Sequence, residues 1–171
     1  TRTNSDLAND LGNLAQRVLS MVQSYFDGVV PKPGARTEDD GALLAAAAGM
    51  LDRARSALDR QQIHTALADI WEVISAANRY VDAQAPWKSR KTDPERAGAV
   101  LYVLAEVIRH VGILVQPFVP DSAGRILDQL AIPADARTFD CLGESGALIP
   151  GTALPKPEPV FPRIEAEAVA E

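Results

Sequence analysis

The chain has 171 residues, 47% of them hydrophobic but only 5% aromatic, and a formal net charge of −6. That length suits one domain with a sizeable core and room for an appendage. The acidic balance excludes the broad basic surface of a non-specific nucleic-acid binder, though not a small local basic patch.

In chain order, the first predicted helix runs from about Asn4 to Phe26. Leu7, Leu11, Leu14, Val18, Val22 and Tyr25 recur at three- and four-residue spacing, the mark of an amphipathic helix. Asn4 or Ser5 can cap its start, and Asp27-Gly28 ends it. A second helix is expected from Thr37 or Asp39 to Leu58, with an Ala45–Ala48 run that a neighbour must approach closely. A third runs from Gln61 to Ala83, burying Ile63, Leu67, Ile70, Trp71, Ile74 and Val81, and stops before Pro86. Thr92-Asp93-Pro94-Glu95 reads as a capping box with proline in the first turn. It opens a fourth helix, apolar over most of its circumference and therefore central. A fifth spans about Asp121 to Leu130. The composition, rich in alanine and leucine and poor in strand formers, agrees with an all-α fold. The expected architecture is an antiparallel helical bundle of about five helices over residues 1–132. Residues 133–171 hold six of the twelve prolines and form an extended tail, docked through Leu142, Ile149, Phe161 and Ile164, with residues 165–171 frayed.

The single cysteine, Cys141, excludes an intramolecular disulfide and fits a reducing compartment. No signal-peptide pattern opens the chain, and no apolar run approaches the roughly 20 residues of a membrane span. A soluble cytoplasmic protein is expected, and no membrane partner. The chain begins at Thr1 rather than Met, as a fragment would. Phosphate-binding, dinucleotide-binding, paired-cysteine and G-x-S-x-G patterns are missing. His110 has Glu106 one turn before it, but no third ligand is near, so a pair on the helix rim is expected and no metal site. His64 and Cys141 read as ordinary residues, and Trp71 as core.

Two stretches point to function. A-P-W-K-S-R-K, residues 85–91, places Trp87 at a helix stop among three cations. N-D-L-G-N-L-A-Q-R, residues 9–17, sets Asn9, Asn13 and Arg17 at four-residue intervals. With the apolar stripe centred near Leu7 and Leu11, Asn13 lies roughly 130° and Arg17 roughly 90° from it. Asparagine offers a donor and an acceptor, arginine a planar fork of donors. Beside an exposed aromatic, such groups suit the edge of an unstacked base; a solvated helix face is the plainer alternative.

Residues 9–17, A-N-R-Y-V-D-A-Q-A-P-W-K (77–88), Q-P-F-V-P-D-S-A (116–123) and K-P-E-P-V-F-P-R-I-E (156–165) resemble, in order and spacing, the bacterial methionyl-tRNA synthetases. The resemblance covers the helical anticodon-binding domain of these class I enzymes and the segment after it. It implies that Asn13 and Arg17 read the anticodon and that Trp87 stacks on its first base. Asn9, Asp82 and Pro86 would line the same site, and Lys88, Arg90 and Lys91 would meet the flanking phosphates. The partner would be tRNA(Met) through its CAU anticodon loop. The family's H-x-G-H and K-M-S-K-S signatures are missing from the chain. ATP and Mg would therefore belong to a catalytic domain expected before Thr1, and the chain alone would be non-catalytic and without cofactor. The tail would run back toward that domain. With no sign of a further domain after A-E-A-V-A-E, a monomer is expected. The alternatives are the corresponding domain of a class I synthetase for another apolar amino acid, against which A-P-W argues, or a helical protein-interaction module whose Trp87 packs in a protein groove.

Overall fold

The structure, a computed structural model, describes residues 3–161. A π-helical segment, Thr3–Gly12, leads into α1, Asn13–Tyr25. Then come α2, Glu38–Ala48, α3, Met50–Asp59, and α4, Ile63–Gln84. The short α5, Pro86–Ser89, precedes α6, Pro94–Val115, and α7, Pro120–Gln129. Among the described residues the only β pairing recorded is one bridge, Val29 to Ala153, so the fold is all-α.

α6 is the axis of the bundle. Every residue from Ala97 to Val115 is buried, as a helix that is apolar all round must be. α1, α2, α4 and α7 pack on it, and α3 lies along α4. Gly112 lets α7 approach, since a Cβ there would stand 3.0 Å from Leu127 Cδ2. Contrary to expectation, α6 is long and apolar enough to cross a membrane, but it is wholly covered by the bundle.

Other departures have local causes. The first helix is not one regular helix, because its opening ten residues wind as a π-helix. The caps expected at Asn4 or Ser5 involve side chains outside the described set. The second helix breaks at Gly49, a poor helix former, where ψ opens to −7°. There the Arg53 guanidinium, 3.0 Å away, donates to the Ala46 carbonyl. The fourth helix is capped by Asp93, not Thr92: the Asp93 carboxylate accepts from the Arg96 N–H at 3.0 Å. Thr92 instead turns its hydroxyl to the Ser89 carbonyl.

The tail docks largely through polar groups of α6. Arg109, fully buried, donates to the Cys141 and Gly143 carbonyls at 2.7 and 3.2 Å. It also pairs with Glu106 at 2.8 Å. Glu106 accepts from the Leu148 N–H, and Tyr102 donates to the Leu148 carbonyl at 3.0 Å. Glu106 and His110 are thus buried, not on a rim. Burial pushes the His110 imidazole below its ordinary pKa, so it sits neutral, with Nδ1 bonded to the Glu106 carbonyl at 2.8 Å. Leu148 is the buried anchor and Ile149 is 72% exposed. Side chains alternate along an extended segment, so an error of one residue exchanges inside for outside. Leu142 and Phe161 do pack on the core. Gln129 exchanges two hydrogen bonds with the Glu158 backbone, at 2.9 and 3.0 Å. The Phe161 ring closes on Gly12, where a Cβ would lie 3.2 Å from Cδ2. The tail therefore returns to the start of α1. The contact expected of Ile164 and the fraying of 165–171 lie outside the described residues.

Candidate functional site

Three elements meet around Trp87. α4 ends at Ala85, a left-handed residue (φ 42°, ψ 59°) whose N–H still bonds the Val81 carbonyl. Pro86 cannot continue that helix but suits the first position of the next, so α5 starts there. Pro86 is itself buried; it sets the backbone rather than offering a surface. Trp87 follows, 36% exposed.

Arg17 reaches this ring from α1. Its Cζ lies 4.8 Å from the Trp87 centroid, a cation–π contact. Its Nη2 bonds Asp82 Oδ1 at 2.8 Å, 65 residues away in sequence. With side-chain exposures of 39% and 65%, this ion pair adds little stability. Its effect is to aim the guanidinium fork. Asn13 is exposed one turn earlier on α1, about 6 Å along the axis. Asn9 is exposed too, but it stands in the π-helical segment. There bonds run from i to i+5 and a turn takes more residues, so Asn9 is not spaced from Asn13 as on a regular α-helix.

Lys88, next to Trp87 in α5, and Lys91, just after α5, are both exposed. Arg90, also exposed, lies over the Tyr25 ring with Cζ 4.5 Å from the centroid, tying the segment after α5 to the end of α1. The structure thus brings both Asp82 and Trp87 into contact with Arg17. It faces Arg90 onto Tyr25.

Sequence reasoning missed what lies behind the site. Asp40, fully buried, accepts from both terminal nitrogens of Arg96 at 2.6 and 2.8 Å and from the Tyr80 hydroxyl at 2.5 Å. Burial alone would raise the Asp40 carboxyl, but bonds from Arg96, Tyr80 and Thr37 outweigh it and hold the group well below the usual carboxylate range. Burial, reinforced by Asp40, pushes Tyr80 well above its ordinary value. The one available signal was the spacing of Thr37 and Asp40, which form a reciprocal capping box at the start of α2.

Trp71 packs against the core, as expected, but is not enclosed by it. It is half-buried and lines an open groove of about 1500 Å³ with Leu67, Val115, Pro117 and Phe118. That groove includes none of Arg17, Asp82 or Trp87. Contacts between side chains, not concavity, therefore define the candidate site.

A family model for the anticodon binding domain of methionyl tRNA ligase matches residues 30–171. The chain belongs to that family. It is 57% identical to the methionine–tRNA ligase of Brucella suis over 97% of its own length and 32% of the relative's. It is 54% identical to that of Rhizobium meliloti, again over 97% of the chain and 32% of the relative. The crystal structure of the apo methionyl-tRNA synthetase of Mycobacterium tuberculosis superposes with a TM-score of 0.93 at 49% identity, over 97% of the chain and 34% of that protein. This anticodon-binding domain therefore spans about a third of the length of the ligases it matches.

Proposed function

We propose that this chain is the anticodon-reading part of a cytoplasmic, monomeric methionine–tRNA ligase, and that Trp87, Arg17 and Asn13 receive the CAU anticodon loop of tRNA(Met). The rest of the enzyme, with ATP and Mg, would supply the chemistry of aminoacylation. The observation that carries the reading is the meeting of Arg17 and Trp87 at one surface from helices far apart in the chain. A splayed base needs a flat apolar face and a directed donor beside it. The indole offers the first. The Arg17 fork, aimed by Asp82, offers the second. Asn13 adds a donor and an acceptor one turn away. Lys88 and Lys91, both exposed, would meet the phosphates flanking a stacked base, and Arg90 would join them from its place on Tyr25.

The test is binding of RNA stem-loops carrying CAU or an altered first base, at stated salt. Base–aromatic stacking is worth about 1–3 kcal/mol, so Trp87→Ala should weaken the CAU stem-loop roughly five- to 150-fold without unfolding the bundle. Arg17→Ala should erode the preference for cytosine at the first position. Lys88→Ala should weaken all stem-loops alike and reduce the salt slope by about one. Unchanged affinity in Trp87→Ala sinks the stacking reading.

A further inference from the structure

Gln84 is the last residue of α4. At this helix end the Ala85 N–H bonds the Val81 carbonyl, and the Lys88 and Arg90 N–H groups bond the Ala85 and Pro86 carbonyls. The Gln84 side chain caps none of these groups. It bridges two other helices instead. Its Oε1 accepts from Arg96 Nη2 of α6 at 2.7 Å, and its Nε2 donates to Asp39 Oδ2 of α2 at 3.2 Å. Arg96 is fastened to buried Asp40, which Tyr80 also grips. The end of α4 is thereby fixed to the rigid interior.

What separates this anchor from Trp87 is stiff. Ala85 sits in the left-handed region at φ 42°, a narrow well for any residue with a Cβ. Pro86 has its φ locked by its ring. With neither residue free to absorb motion, the backbone of Trp87 inherits the placement of Gln84. On the far side, Arg90 on Tyr25 holds the exit of α5.

We infer that Gln84 is a positioning residue for Trp87, coupling the Asp40–Tyr80–Arg96 network through Ala85 and Pro86 to the height and tilt of the indole against Arg17. The affinity consequence rests on the proposal that Trp87 stacks on a base. A base binds best to a ring already held in place, because ordering a loose side chain on binding is costly.

Three variants test this in the 171-residue chain with Trp71→Phe, which leaves Trp87 as its sole tryptophan: Gln84→Met, Trp87→Ala and the two together. Indole mobility is read by fluorescence anisotropy and acrylamide quenching, and affinity with the CAU stem-loop. Gln84→Met should leave the melting temperature nearly unchanged, raise indole mobility, and weaken the RNA roughly two- to tenfold. In the Trp87→Ala background Gln84→Met should cost nothing further, the non-additivity of residues that act through one another. An equal loss with and without Trp87, or an indole as immobile as before, overturns the inference. Neutral Trp87→Ala instead overturns the stacking reading, while indole mobility still decides whether Gln84 positions the ring.

Discussion

Asp40 holds a negative charge at a position without solvent access, and everything around it is arranged to keep that charge. Its carboxyl is held far below the unfolded value of about 3.9. A group depressed in this way contributes stability that is complete above the unfolded pKa and lost as pH falls through the folded one. Asp40→Asn should therefore cost about 1–3 kcal/mol at pH 7, because the Arg96 it leaves behind is partly exposed and keeps its bond to Gln84. Measured by denaturant titration, the deficit should shrink as pH drops below about 4. A deficit constant from pH 7 to pH 3 would mean that the carboxylate is not what matters. Glu38, Asp39 and Asp40 look alike in sequence, an acidic first turn, and only the helices around them decide that Asp40 faces inward. The two tryptophans show the same limit. Helical spacing identifies the face on which Trp71 lies, but not how far the neighbouring helices extend over it, and they leave it half-covered. Trp87 was more legible, because a proline stop, an aromatic and a basic run coincide within seven residues.

Helices were legible where period and punctuation agree. The third and fifth predicted helices and the central fourth lie within about two residues of α4, α7 and α6, the usual uncertainty of helix ends. Where punctuation was ambiguous, geometry chose. Thr92 and Asp93 are both good caps, and the chain leaving α5 commits Thr92 to Ser89 and frees Asp93 for α6. Asp93→Ala should cost about 0.5–2 kcal/mol, lowering the melting temperature by about 2–4 °C per kcal/mol for a chain of this size. Thr92→Ala should stay within about 0.5 kcal/mol. Thermal melts of the two variants check this, and the reverse order would restore the capping box read from sequence. The winding of Thr3–Gly12 had no such signal, since its apolar spacing suits a regular helix.

At the scale of the molecule, the tail is a second layer fastened to the bundle by α6. Proline content foretold an extended path, and apolar content foretold docking, but the anchoring carboxylate belongs to the helix most apolar in sequence. Glu106 accepts from Arg109 and from the Leu148 amide together. Glu106→Ala would leave the fully buried Arg109 without its partner, an expected loss of about 3–5 kcal/mol. The Leu148 amide should then exchange with solvent far faster, and residues 138–148 with it, while the α4 interior loses protection only as the global stability falls. Hydrogen exchange by mass spectrometry separates these. Equal acceleration everywhere would mean that tail and bundle open as one unit.

The wholly covered α6 also constrains how the protein is made. Pro94–Val115 leaves the ribosome after α1, α2 and α4, so three of the surfaces that shield it are already available. Leu148, on the tail that covers its polar face, emerges about 33 residues later, a delay of a few seconds at typical synthesis rates. Until then Glu106, Arg109 and His110 stay wet, and the charges of Glu106 and Arg109 oppose association of this membrane-like stretch while it waits for its cover.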